Sequence, residues 1–146
     1  MDEIEVHVAD LEILLEQGDY PEIIFRARTL LESDSCLREP RIWRLLGVAL
    51  GRSGEHLAAK DAFLSAYDLS KSDLDVSNAI GTLFPLEEIA LVLKIIDDSF
   101  RFFTEGSQEL IAQNALAAIR VDLISMDDLP RDLRTYLRNV ATIGHA

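Results

Sequence analysis

The chain has 146 residues, enough for one domain that buries roughly two thirds of its unfolded surface. Hydrophobic residues make up 49% and charged residues 27%, a balance that excludes a disordered chain. The net charge of −12, from 26 acidic against 14 basic residues, disfavours a nucleic-acid partner, whose phosphates it would repel, and favours a basic or apolar one.

The single cysteine, Cys36, allows no internal disulfide and fits a reducing, cytoplasmic setting. Asp34 beside it opposes a reactive thiolate. The opening Met1-Asp2-Glu3-Ile4-Glu5 lacks the basic and then apolar pattern of a secretory signal. No run of about 18 apolar residues exists to span a membrane.

In chain order, Ile4, Val8, Leu11, Leu14 and Leu15 predict an amphipathic helix over 3–17. Gly18 ends it, Asp19 caps the next, and Pro21 suits a first helical turn. The second helix is expected over 21–32, followed by a connector at 34–39 before Pro40. Trp43, Leu46, Gly47 and Leu50 then share one helical face. Gly54 interrupts, and Leu57, Ala59, Ala62, Phe63 and Ala66 repeat the helical spacing. Small residues among large ones let two antiparallel helices approach closely and interlock.

Trp43, Leu46, Gly47, Gly54, Ala59, Phe63 and Ala66 stand in a register that resembles the tetratricopeptide repeat: Trp-x2-Leu-Gly-x2-Tyr, a glycine turn, then Ala-x3-Phe-x2-Ala. Leu50 replaces the usual Tyr, and no Pro follows the second helix. Gly18-Asp19-Tyr20 is similar to the turn of a degenerate copy, 36 residues before Gly54. The resemblance implies an all-α superhelical solenoid of about eight antiparallel helices without a sheet. It would be one domain over 1–146: a degenerate repeat at 1–38, a clear one at 39–72, a weak one at 73–106, and a closing helix pair at 107–146.

Beyond the central pair, Ser72 and Asp75 read as a capping box for a helix over 73–83, in which Gly81 marks a close approach. Phe84-Pro85 breaks the chain. The stretch 85–103 is apolar nearly all round and ends in Phe100, Phe102 and Phe103. It is expected either to be covered by neighbouring helices or to form an exposed, self-associating surface. Gly106 and Ser107 read as the end of that helix and the cap of the next, over 108–124, with Leu110, Ile111, Ala115, Ala118, Ile119 and Leu123 inward. Asp127-Asp128-Leu129-Pro130 starts a last helix, whose narrow Leu133, Leu137, Val140 stripe suits a solenoid cap.

No catalytic constellation is visible. His7, His56 and His145 are scattered, with no zinc spacing, and neither a phosphate loop nor a nucleophile elbow occurs. The acidic pairs Glu87-Glu88 and Asp97-Asp98 point apart on a helix and read as solvated faces. No cofactor or metal is expected. Arg38, Arg41, Arg44 and Arg52 crowd the central repeat, and Arg41, Arg44, Val48 and Arg52 share a helical face distinct from that of Trp43. The resemblance implies that this face lines a concave groove, extended by Asn78 and Thr82. Arginine forks suit carboxylates there, although pairing with Glu39, Glu55 or Asp75 would occupy them. Val8 and Glu12 stand where chaperone-tail-binding repeats carry Lys and Asn, so that ligand is not expected.

The reading is a non-enzymatic module that holds a peptide or helix of another protein, with acidic groups, and neither nucleic acid nor membrane. Its alternatives are a small acidic chaperone similar to those of type III secretion, and a self-associating scaffold that forms a homodimer.

Overall fold

A computed structural model describes residues 2–83 and 89–144, with residues 89, 98, 99 and 141–144 described by their backbone alone. Phe84-Pro85, Glu87-Glu88 and His145 lie outside the described residues, as does the Asp98 side chain. Among the described residues nine α-helices follow one another, with no strand: α1 (Glu3–Gln17), α2 (Tyr20–Leu30), α3 (Asp34–Leu37), α4 (Pro40–Arg52), α5 (His56–Ser70), α6 (Asp73–Leu83), α7 (Ile89–Ser99), α8 (Glu105–Arg120) and α9 (Arg131–Gly144). Short 3-10 turns stand at Phe100–Phe102 and Met126–Asp128. None of the described helices is long and apolar enough to cross a membrane. The chain divides into two compact units, 1–82 and 83–146, a division that falls within the stretch read as the third repeat.

Local chemistry explains most helix ends. The Asp2 carboxylate accepts from the Glu5 N–H at 2.8 Å, and Asp19 does the same for Glu22 at the start of α2. Gly18 (φ 72°) and Gly54 (φ 84°) take the left-handed conformation that ends α1 and turns α4 into α5, a region where only glycine avoids a Cβ clash. The connector at 34–39 is itself a single turn, α3, capped by Ser33. Two expected caps fall elsewhere. Thr104, not Ser107, caps α8, which places Gly106 and Ser107 inside its first turn. The Ser72–Asp75 box does not form, because the Asp75 carboxylate accepts from Arg44 and Ser70 instead.

The first unit is built on the α4–α5 hairpin, against which α1 and α2 pack. Gly47 faces the Phe63 ring, and Gly51 lies over Ala59. Moving four residues up α4 therefore moves four residues down α5, which makes the pair antiparallel. Leu11, Ile23, Ala27, Ile42 and Leu50, each 2% exposed or less, join Phe63 in one core. Trp43 is half-buried against that core, and its indole N–H donates to the Leu37 carbonyl at 2.9 Å.

On α6, Ser77 is fully buried, and its Oγ has no hydrogen-bond partner among the described residues. An unsatisfied buried hydroxyl costs about 1–3 kcal/mol. Ser77→Ala is therefore expected to stabilise the chain by about 1 kcal/mol, read as a higher urea midpoint at an unchanged slope. A lower midpoint would mean that the hydroxyl does bind a partner.

In the second unit, α7 buries Val92 and Ile96 but exposes Ala90 and Lys94, so the apolar stretch has one covered side rather than cover all round. Phe100 is buried, with its ring edge-on to Tyr136 at 5.7 Å and to Phe103 at 6.4 Å. Of the three phenylalanines offered as a self-association surface, only Phe102 is exposed, and the Arg101 guanidinium lies over its ring. Leu133 and Leu137 of α9 are buried while Val140 is 48% exposed, so two of the three expected stripe residues face inward.

Candidate functional site

The stripe read as a groove lining lies along α4. Arg44, Val48 and Arg52 recur every four residues, so their side chains line one face about 12 Å long. Arg41 begins the row.

Arg41 and Arg44 are both engaged by carboxylates of the same unit. The Arg41 guanidinium bonds Glu39, which caps α4, and both oxygens of Glu5 on α1. This bridges helices 36 residues apart. The hydrogen bond from Arg41 holds the Glu5 carboxyl below its usual range, and the same two carboxylates raise the Arg41 guanidinium. Four of the five Arg41 N–H groups are thereby committed.

Arg44 makes a bidentate fork with Asp75 of α6, Nε to Oδ1 at 2.6 Å and Nη2 to Oδ2 at 2.8 Å. Asp75 is fully buried and also accepts from the Ser70 hydroxyl at 2.8 Å. Its hydrogen bonds raise the Arg44 guanidinium above its ordinary value, so the arginine is charged at any working pH. The Arg44 side chain remains 28% exposed, and its Nη1 bonds no described residue. Arg52 is exposed and holds no carboxylate among the described residues. Val48 is half-buried against the core.

The two α6 positions differ. Asn78 is half-buried, on the helical face of Asp75 at a spacing of three residues. The Thr82 hydroxyl donates to the Asn78 carbonyl at 2.8 Å and so is turned back into its own helix. The Arg44–Asp75 fork thus ties α4, which carries Val48, to α6, which carries Asn78, while Arg41 is drawn toward α1 and Arg52 holds no carboxylate among the described residues. Ser70, the third member of the buried network, was not singled out from the sequence. No local pattern marks it, since its role depends on Asp75 folding back across the α5–α6 turn.

Among the described residues no group of three or more His, Cys, Asp or Glu side chains could hold a metal ion. Cys36 is buried. Compared with known proteins, the chain finds no counterpart: no family model, no curated protein and no solved structure matches it. What fold and site define together is an all-helical chain whose first unit carries an arginine stripe anchored from beneath by a buried carboxylate.

Proposed function

We propose that the chain is a non-enzymatic binding module whose helix hairpins stack as in a tetratricopeptide superhelix. A peptide or helix of a partner protein lies along Arg44, Val48 and Arg52, with Asn78 beside them. Arg41 and Thr82 frame the site rather than touch the ligand, since their polar groups are committed to the fold. The observation that carries this reading is the Arg44–Asp75 fork. It pins a guanidinium in one orientation and leaves Nη1 bonded to no other described residue, so little ordering entropy remains to be lost when a carboxylate docks. Arg52, one Val48-centred span away, supplies a second charge, and Val48 between them supplies apolar contact.

The test uses acidic peptides that end in a free carboxylate, each compared with its amidated twin by titration calorimetry. Arg52→Ala is expected to weaken the free-carboxylate peptides roughly tenfold, as loss of a charge-assisted hydrogen bond would. The amidated twins are expected to bind more weakly throughout. Equal binding of both twins, unaffected by Arg52→Ala and Asn78→Ala, would eliminate the stripe as the binding surface.

A further inference from the structure

The face of α4 turned away from the arginines borders an open cleft of about 480 Å3. Leu46 and Leu50, 4% and 2% exposed, form its floor, so the bottom of the cleft is core that is already packed. Trp43 forms one wall. Its indole N–H is held by the Leu37 carbonyl, which fixes the ring, and Leu37 itself is 44% exposed at the mouth. A preformed apolar cleft of this size falls within the range of ligand-binding clefts, about 300–1,000 Å3.

The rim determines the kind of occupant. Glu32, just beyond α2, and Asp61, on α5, both line the cleft, and both are exposed. Arg28 is the one cation that lines the cleft among the described residues, and Lys60 pairs with the exposed Asp61. Two carboxylates, Glu32 and Asp61, thus stand against one cation, Arg28, among the described residues that line the cleft, in a chain whose net charge is −12. A second copy of the same acidic chain would bring like charges to this rim.

We propose that this cleft docks a basic amphipathic segment of another protein. Large apolar side chains enter against Trp43, Leu46 and Leu50, and Lys or Arg side chains meet Glu32 and Asp61. The surface differs in location and in charge preference from the arginine stripe, and neither reading depends on the other.

Trp43 is the only tryptophan of the chain and forms a wall of the cleft, so it reports occupancy directly. The probe is a tryptophan-free helical peptide of about four turns, leucine on one face and lysine on the other, with a twin that carries glutamate for lysine. The lysine peptide is expected to shift Trp43 emission saturably and to bind roughly tenfold more tightly than its twin, a preference that salt weakens. Glu32→Lys with Asp61→Lys, both at exposed positions, is expected to reverse the preference. Ser65→Tyr, which fills the mouth of the cleft, is expected to abolish binding. If Ser65→Tyr also lowers the unfolding midpoint, the double lysine variant carries the test. Arg52→Ala is expected to change nothing here, which separates this cleft from the stripe. Equal affinity for both peptides, an unmoved Trp43 emission, or indifference to the double variant would overturn the proposal. So would concentration-dependent dimerisation that Ser65→Tyr blocks, since a second copy would then be the occupant.

Discussion

Arg44→Met is expected to destabilise the chain by about 3 kcal/mol, the lower end of what removing one partner of a buried ion pair costs. The lower end applies because Arg44 is 28% exposed and water reaches part of the vacated space. The cost arises at Asp75, which is fully buried and would keep the Ser70 hydroxyl as its one remaining side-chain partner among the described residues. Methionine retains the apolar stem of the arginine, so lost packing contributes little. At the usual slope of about 1–3 kcal/mol per M, the urea midpoint should fall by roughly 1–3 M. Asp75→Asn in the Arg44→Met background removes the stranded charge and should restore more than about 1 kcal/mol. A cost below about 1 kcal/mol for Arg44→Met, or no recovery in the double variant, would show that the fork is not closed in solution. The result also bears on function, because a loosened fork leaves Arg44 no fixed direction in which to present Nη1.

Gly47→Ala is expected to cost about 1–2 kcal/mol although alanine is the better helix former. A mid-helix glycine replaced by alanine ordinarily gains about 1 kcal/mol. Here the added Cβ would lie 2.8–2.9 Å from three carbons of the Phe63 ring. Phe63 is 4% exposed, so the ring cannot swing into solvent and the two helices must separate. Overpacking of this kind costs about 1–3 kcal/mol, which outweighs the gain in propensity. Phe63→Leu removes the crowded ring atoms and should be much less harmful in the Gly47→Ala background than in the parent. A net gain in stability from Gly47→Ala would mean that α4 and α5 are farther apart in solution than the packing of Gly47 on Phe63 requires.

That same contact indicates how much could be read before any coordinates. Gly47 and Phe63 belong to a mixture of small and large residues from which two interlocking antiparallel helices were expected, and the structure sets one against the other in an antiparallel hairpin. The bounds of α1, the Asp19 cap and the Gly18 and Gly54 turns were equally legible. Each depends on a side chain and a backbone group within about four residues of one another, and such chemistry acts wherever the motif occurs.

The arginine stripe was legible as a row but not as a set of partners. Arg41 reaches Glu5 across 36 residues and Arg44 reaches Asp75 across 31. The sequence raised pairing with Glu39, Glu55 or Asp75 as one alternative, but nothing in it distinguished that from a free cationic groove, and Glu55 takes no part in the observed pairs of Arg41 and Arg44. Asp75 was assigned to the backbone of its own helix as a cap. It went to the guanidinium because a buried carboxylate gains more from a bidentate charged fork than from one amide. Phe100 and Phe103 likewise turned inward onto Tyr136 and one another while Phe102, between them, did not. A 3-10 turn at that point rotates alternate rings away from the core in a way that helical periodicity does not anticipate.

By itself the sequence determined that the described chain is helical, where most of those helices begin and end, and which two of them interlock. Tertiary structure alone decided which charges are neutralised and which apolar side chains line a cleft. Helix formation is governed by neighbours along the chain. The burial of Asp75 and the opening beside Trp43 depend on how separate helices come to rest, and one-dimensional spacing does not carry that information.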